Sequence, residues 1–299
     1  MCENIDSIVI NFNKDSVVLL NICVSFIMFG IALDIKLSDF RRIFQTPRIP
    51  VIGLISEYLL LPLLTILLIY LFRPAPSFAL GMILLATCPG GSTSNYMVHL
   101  SKGNTALSVT LTSITTLGAI VLTPLGFTLI AQLFPYTADI LTTIDVSPLE
   151  MMKTILLIIA LPVAVGMFAQ ARFPKFTARI RPIISTLSMV IFLGFVTVAI
   201  INNWGNLSGY VHCVFVVVTL HNSLALLMGF SFARIMGLTT RDARAVSIET
   251  GIQNTALGLA IAFQFFNGLG GMTMVLAWWG IWHLISGFGL ALFWRRRFG

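Results

Sequence analysis

Apolar runs recur along this chain at the length a lipid bilayer demands. A spanning helix needs roughly 20 mainly apolar residues. Segments 17–35, 49–72, 78–101, 104–134, 149–170, 180–202, 210–236, 242–267 and 271–294 each meet that length. Only 10% of the 299 residues are charged, and the mean hydropathy is +0.96. A soluble domain carries about 25% charged residues, so this surface is too poor in charge to face water and must face lipid. The expectation is an all-α integral membrane protein with nine transmembrane helices. Lipid is then its standing partner.

The basic residues test that count. With nine spans, Lys36, Arg41, Arg42, Arg48, Lys102, Arg172, Lys175, Arg179, Arg181, Arg234, Arg241, Arg244, Arg295, Arg296 and Arg297 fall on one side. Lys14, Arg73 and Lys153 fall on the other. Cytoplasmic loops collect Lys and Arg, so the C-terminus is expected in the cytoplasm and the N-terminus outside, in a bacterial inner membrane. The net charge of +7 then needs no nucleic-acid partner. The start, with Glu3 and Asp6 and no basic run, does not read as a signal peptide. Cys2, Cys23, Cys88 and Cys213 imply no disulfide framework. His99, His212, His221 and His283 lack metal-ligand spacing.

Two spans are interrupted. The third carries Cys88-Pro89-Gly90-Gly91 followed by Ser92, Thr93, Ser94 and Asn95. Proline cannot donate a backbone bond, glycine favours unwinding, and serine or threonine can cap a new half-helix. Taken alone, this run reads equally well as a kink. The eighth span holds Glu249, Thr250, Gly251, Gln253 and Asn254 at its centre. Paired broken helices in the two halves of a chain are the best sequence pointer to a transporter's binding site. Five spans separate them, so they run in opposite directions, as inverted repeats require. The long linker from Pro135 to Pro148 divides residues 1–134 (four helices, break near 88–95) from 148–299 (five helices, break near 249–254).

Of eleven acidic residues, nine sit in loops or near span ends, and Glu57 and Glu249 are left inside apolar spans. A carboxylate at that depth is a functional candidate by default, and no interior Lys or Arg is available to pair with it. Sodium, a hard cation, prefers oxygen. Ser94 and Asn95 flank the first break. Ser108 and Thr112, four apart, share a helical face. Gln253 and the carbonyls of Thr250 and Ile252 flank the second. Ser108 and Thr112 serve equally well for interhelical hydrogen bonds.

At these residues the sequence resembles the bile acid:sodium symporter family. The likeness runs from about Phe26 to the C-terminus, through FIMFGIALDIKLSDF, CPGGSTSN, SKGNTALSVTLTS, ETGIQNTALG and IWHLISG. It implies a core domain, with two broken helices crossing, packed on a panel domain. It also implies a nine-helix member lacking the first of ten helices. One sodium site would use Ser94, Asn95, Ser108, Thr112 and Glu249. A second would use Glu57, Glu249, Thr250, Ile252 and Gln253, with Glu57 standing where the family commonly has glutamine. Ser92, Thr93, Asn254 and His283 match the substrate region, with Leu284 in place of a frequent asparagine.

The resulting expectation is sodium-coupled symport of a small organic anion or bile-acid-like carboxylate by alternating access, with sodium as coupling ion and no other cofactor. No nucleophile motif suggests an enzyme. Proton-coupled export of an organic anion is the alternative, because Glu57 can add proton dependence to sodium binding.

Overall fold

The computed structural model describes residues 5–7, 10, 14–33, 35, 47–91, 93–144 and 147–298. Ser92 of the expected substrate region, and Lys36, Arg41 and Arg42 of the charge count, lie outside the described residues. The chain is helical: α1 (Lys14–Ala32), α2 (Arg48–Phe72), α3 (Pro76–Thr87), α4 (Ser94–Leu100), α5 (Thr105–Ala131) and α6 (Pro135–Ile144). Then come α7 (Pro148–Arg172), α8 (Pro174–Asn202), α9 (Val211–Ile235), α10 (Thr240–Gly251), α11 (Thr255–Phe265) and α12 (Gly270–Phe298).

Arg48–Phe72, Thr105–Ala131, Pro148–Arg172, Ser208–Ile235 and Gly270–Arg297 are long and apolar enough to cross a membrane. Their outward faces stay apolar: Leu129, Leu157, Phe168 and Ile235 are all more than half exposed. Exposed leucine, phenylalanine and isoleucine in such density belong against lipid. The molecule is an all-helical integral membrane protein.

Every expected span has helix beneath it, and two boundaries differ. The linker expected from Pro135 to Pro148 contains α6, where Thr137 and Leu141 turn inward. The helix expected from residue 180 begins at Pro174, since proline suits a first helical turn. Proline also explains two features with no periodic signal. The π turns Ser56–Leu60 and Leu156–Ala160 each run into a Leu-Pro pair, at Pro62 and Pro162. Neither proline can bond to the carbonyl four residues back, and the wider turn absorbs that loss. Cys213 is disulfide-bonded, a correction to the reading of the cysteines, whereas Cys23 and Cys88 are free thiols.

The helices pack in two groups. α1, α7 and α8 pack against one another. α2, α3, α4, α5, α9, α10, α11 and α12 form the second group. The groups meet where α1 lies on α11 and where α5 lies on α7. Within the larger group, Phe127 and Phe266 meet edge to face at 5.5 Å between ring centroids. His221 meets the ring of Trp279 at 5.0 Å while bonding Thr65 at 2.9 Å, which ties α2, α9 and α12 together.

Candidate functional site

Pro89 makes the first break. It disfavours helix at the residue before it, and Cys88 is accordingly extended, with φ −68° and ψ 154°. The second break opens at Ile252, also extended, with φ −108° and ψ 99°. Asn254 then caps α11 by accepting the Leu257 N–H at 3.0 Å. The two unwound segments cross antiparallel and pair through their backbones. Gly91 N–H donates to the Ile252 carbonyl at 2.7 Å, and Asn254 N–H donates to the Pro89 carbonyl at 2.8 Å. Polar backbone that helix cannot satisfy at membrane depth is satisfied here by the other break. Both glycines leave little room for a side chain. A Cβ on Gly91 would come within 3.1 Å of the Gln253 carbonyl, and one on Gly90 within 2.7 Å of Glu249 Oε2.

Glu249 lies in the last turn of α10, beside this crossing, and is fully buried. Ser94 Oγ donates to its Oε1 at 2.6 Å, and Ser108 Oγ donates to the same oxygen. Thr112 Oγ1 donates to Oε2 at 2.9 Å. Asn95 Oδ1 sits against the same hydroxyls, 2.7 Å from Ser108 Oγ and 3.4 Å from Thr112 Oγ1. Each hydroxyl has one hydrogen to give but also keeps lone pairs. The cluster is therefore rich in oxygen, with one carboxyl group at its centre, and the side chains that donate to it are neutral. Such a donor set suits a hard monovalent cation. Ser94, Asn95, Ser108, Thr112 and Glu249, drawn from three helices, are brought together.

The second group of expected ligands is adjacent and differently arranged. Ser56 Oγ and Thr250 Oγ1 lie 2.7 Å apart, which holds the π turn of α2 against α10. Glu57, on that turn, is buried, and the turn packs against α10, which carries Glu249. Its Oε1 has no hydrogen-bond partner. Gln253 Nε2 donates to the Thr250 carbonyl at 3.0 Å and the Glu249 carbonyl at 3.3 Å, leaving Gln253 Oε1 without a partner. The Ile252 carbonyl is taken up by the crossing.

Thr93, Asn254 and His283 line one cavity beside the crossing. Gln253 lines it too, and of the expected cation ligands it alone does so. Sequence reasoning missed several participants. Thr115 Oγ1 accepts the Gly90 N–H at 3.3 Å, and it continues the face of Ser108 and Thr112, so helical spacing could have found it. Asn222 Nδ2 holds the Gly251 carbonyl at 2.8 Å and is itself held by Ser286 at 2.6 Å. Ser188 of α8 lines the cavity. Nothing in its local sequence marks it.

An integral membrane protein with two crossed broken helices around a buried carboxylate has the architecture of a secondary transporter. The profile of the Sodium Bile acid symporter family matches residues 21–210. The sodium-dependent transporter YocS of Bacillus subtilis (strain 168), described as uncharacterized, is 33% identical over 278 residues, covering 93% of this chain and 83% of that protein. The probable chloroplastic sodium/metabolite cotransporter BASS2 of Oryza sativa subsp. japonica is 32% identical over 288 residues, 93% of this chain and 64% of that protein. The corresponding BASS1 of Arabidopsis thaliana is 31% identical over 277 residues, 90% of this chain and 65% of that protein. This chain therefore belongs to the sodium bile acid symporter family, a family of transporters rather than enzymes.

Proposed function

We propose that this protein is a sodium-coupled symporter of a small organic anion, working by alternating access. The observation that carries the reading is Glu249: a fully buried carboxylate at the crossing, held by hydroxyls from Ser94, Ser108 and Thr112. An isolated buried charge is costly, and a bound sodium ion would offset it. The names of the relatives, sodium-dependent transporter and sodium/metabolite cotransporter, support sodium as the coupling ion.

In this reading the first sodium site uses Ser94, Asn95, Ser108, Thr112 and Glu249. The second uses Glu57, Glu249, the Thr250 and Ile252 carbonyls and Gln253. For Gln253 to join it, the amide turns so that Oε1 replaces Nε2 at the Thr250 carbonyl. Sodium bound at both sites fixes the crossing. The organic anion then docks in the cavity of Thr93, Asn254 and His283, where the N-terminus of α11 favours negative charge. Coupling is reciprocal, so the anion tightens sodium by the factor by which sodium tightens the anion. Residues 1–134 and 148–299 act as inverted repeats, and the group of α1, α7 and α8 serves as the panel against which the larger group rocks. The membrane is a bacterial inner membrane, with the N-terminus outside and the C-terminus cytoplasmic.

Reconstitution tests this. Uptake of a carboxylate into proteoliposomes should follow an imposed sodium gradient and concentrate the solute. A carboxylate set running from lactate to a steroid acid, screened by thermal stabilisation in sodium against potassium, selects the substrate. Accumulation that ignores sodium sinks the reading. A second reading, proton-coupled export, draws on Glu57, whose unpartnered Oε1 can take a proton in place of a cation. It predicts flux driven by a pH gradient with sodium equal on both sides.

A further inference from the structure

Hydroxyls on the helices of this protein ordinarily bond back to their own turn. Thr65 Oγ1 reaches the Leu61 carbonyl at 2.8 Å, Thr110 the Ala106 carbonyl at 2.8 Å, and Ser113 the Val109 carbonyl at 2.6 Å. That habit is general for serine and threonine in membrane helices. Ser188 departs from it, as do Ser77, Thr116, Thr128 and Thr219, but of these five only Ser188 lines the cavity beside the crossing. Ser188 is 5% exposed, and its Oγ has no partner. A buried hydroxyl left unmatched is destabilising, and it calls for an explanation.

The surroundings supply one. Ser188 lines the same cavity as Gln253 and His283, and Gln253 Oε1 and His283 Nδ1 are also buried without partners. Three unmatched polar atoms from three separate elements thus belong to residues around one space: α8, the break between α10 and α11, and α12. Lysine and arginine are absent from the lining residues, and Thr255 and Ala256 place the start of α11 there. Negative charge is therefore met by a helix terminus, and, with Gln253 given to the second sodium site, Ser188 and His283 are left to match something else. The other lining residue from the group of α1, α7 and α8 is Ile27, so Ser188 is that group's polar contribution.

We propose that Ser188 reads the transported ligand, a small carboxylate bearing a further hydroxyl or carbonyl oxygen, which it hydrogen-bonds from the three-helix side of the cavity. This rests on the transport reading above and narrows its substrate class. A ligand so held touches both helix groups at once, so its oxygen pattern governs whether the groups close on it.

Matched carboxylates differing in one oxygen test this: lactate against propionate, and 3-hydroxybutyrate against butyrate, added to the screen above and titrated in sodium. The parent should favour the oxygenated member of a pair by roughly tenfold, the scale of one hydrogen bond. Ser188→Ala should erase that preference and Ser188→Thr should keep it. Sodium-induced stabilisation without carboxylate, measured on each variant, reports an intact fold. A parent that does not discriminate, or a Ser188→Ala variant that still does, overturns the proposal while the transport reading stands. Failure of every carboxylate in the full screen to bind in a sodium-dependent way overturns the transport reading, and the role of Ser188 with it.

Discussion

Glu249 and Glu57 are both carboxylates buried among membrane helices, yet their surroundings differ. Glu249 is gripped: hydroxyls from α4 and α5 reach both of its oxygens. Glu57 stands on a π turn with Oε1 unmatched. A gripped carboxylate has its geometry set in advance and loses little freedom when a cation arrives. A carboxylate with a spare oxygen waits for a partner to complete it. In the proposed reading, Glu249 organises the crossing and Glu57 tunes what binds beside it.

Replacing Glu249 should break the comparison outright. Glu249→Ala should lower sodium-driven uptake by roughly a hundredfold or more, since charge-assisted hydrogen bonds are worth about 1.5–3 kcal/mol each and several are lost together. Uptake assays in liposomes decide it, and survival of ion-driven accumulation sinks the assignment. Gly90→Ala comes next. Its new Cβ, 2.7 Å from Glu249 Oε2, must displace the carboxylate. Overpacking of this kind costs about 1–3 kcal/mol, read as a sodium affinity lower by about tenfold or more with the protein still folded.

Glu57→Gln sharpens the contrast from the other side. The glutamine keeps the shape and removes the charge, so sodium affinity should lose its dependence on pH while the Glu249 cluster persists. Sodium titrations across a pH series decide this; a profile identical to the parent's refutes the role given to Glu57. Smallest of all is Tyr58→Phe, which removes a 2.9 Å bond to the Thr115 carbonyl. A loss of about 1 kcal/mol of stability is expected, seen as a modest drop in melting temperature and little change in sodium affinity.

Much of this arrangement was legible in the residues themselves. Apolar length gave the spans, and Pro89 with two glycines gave the first break. The four-residue spacing of Ser108 and Thr112 placed both hydroxyls on the face that meets Glu249. Illegible parts depend on where distant helices pass. Ser188 looks like any serine in an apolar run until α8 is packed against the cavity. Asn222 needs α10 beside α9 before its amide has a carbonyl to hold. Gln253 could be placed at the site from its neighbours in sequence, but the direction of its amide depends on which backbone atoms the break leaves free. The π turns were missed because hydrophobic periodicity does not register a proline's effect four residues upstream.

The stitching of the two breaks uses main-chain atoms on both strands. Side chains at Cys88 or Ile252 can therefore change without unpicking the seam, whereas proline at position 91 or 254 would sever a thread by removing the N–H that forms it. Tolerance at positions 91 and 254 is thus governed in part by what a residue does to its own backbone, beside the room that Gly90 and Gly91 leave. Each break therefore fixes the position of the other, and displacing one segment means giving up a bond to its opposite.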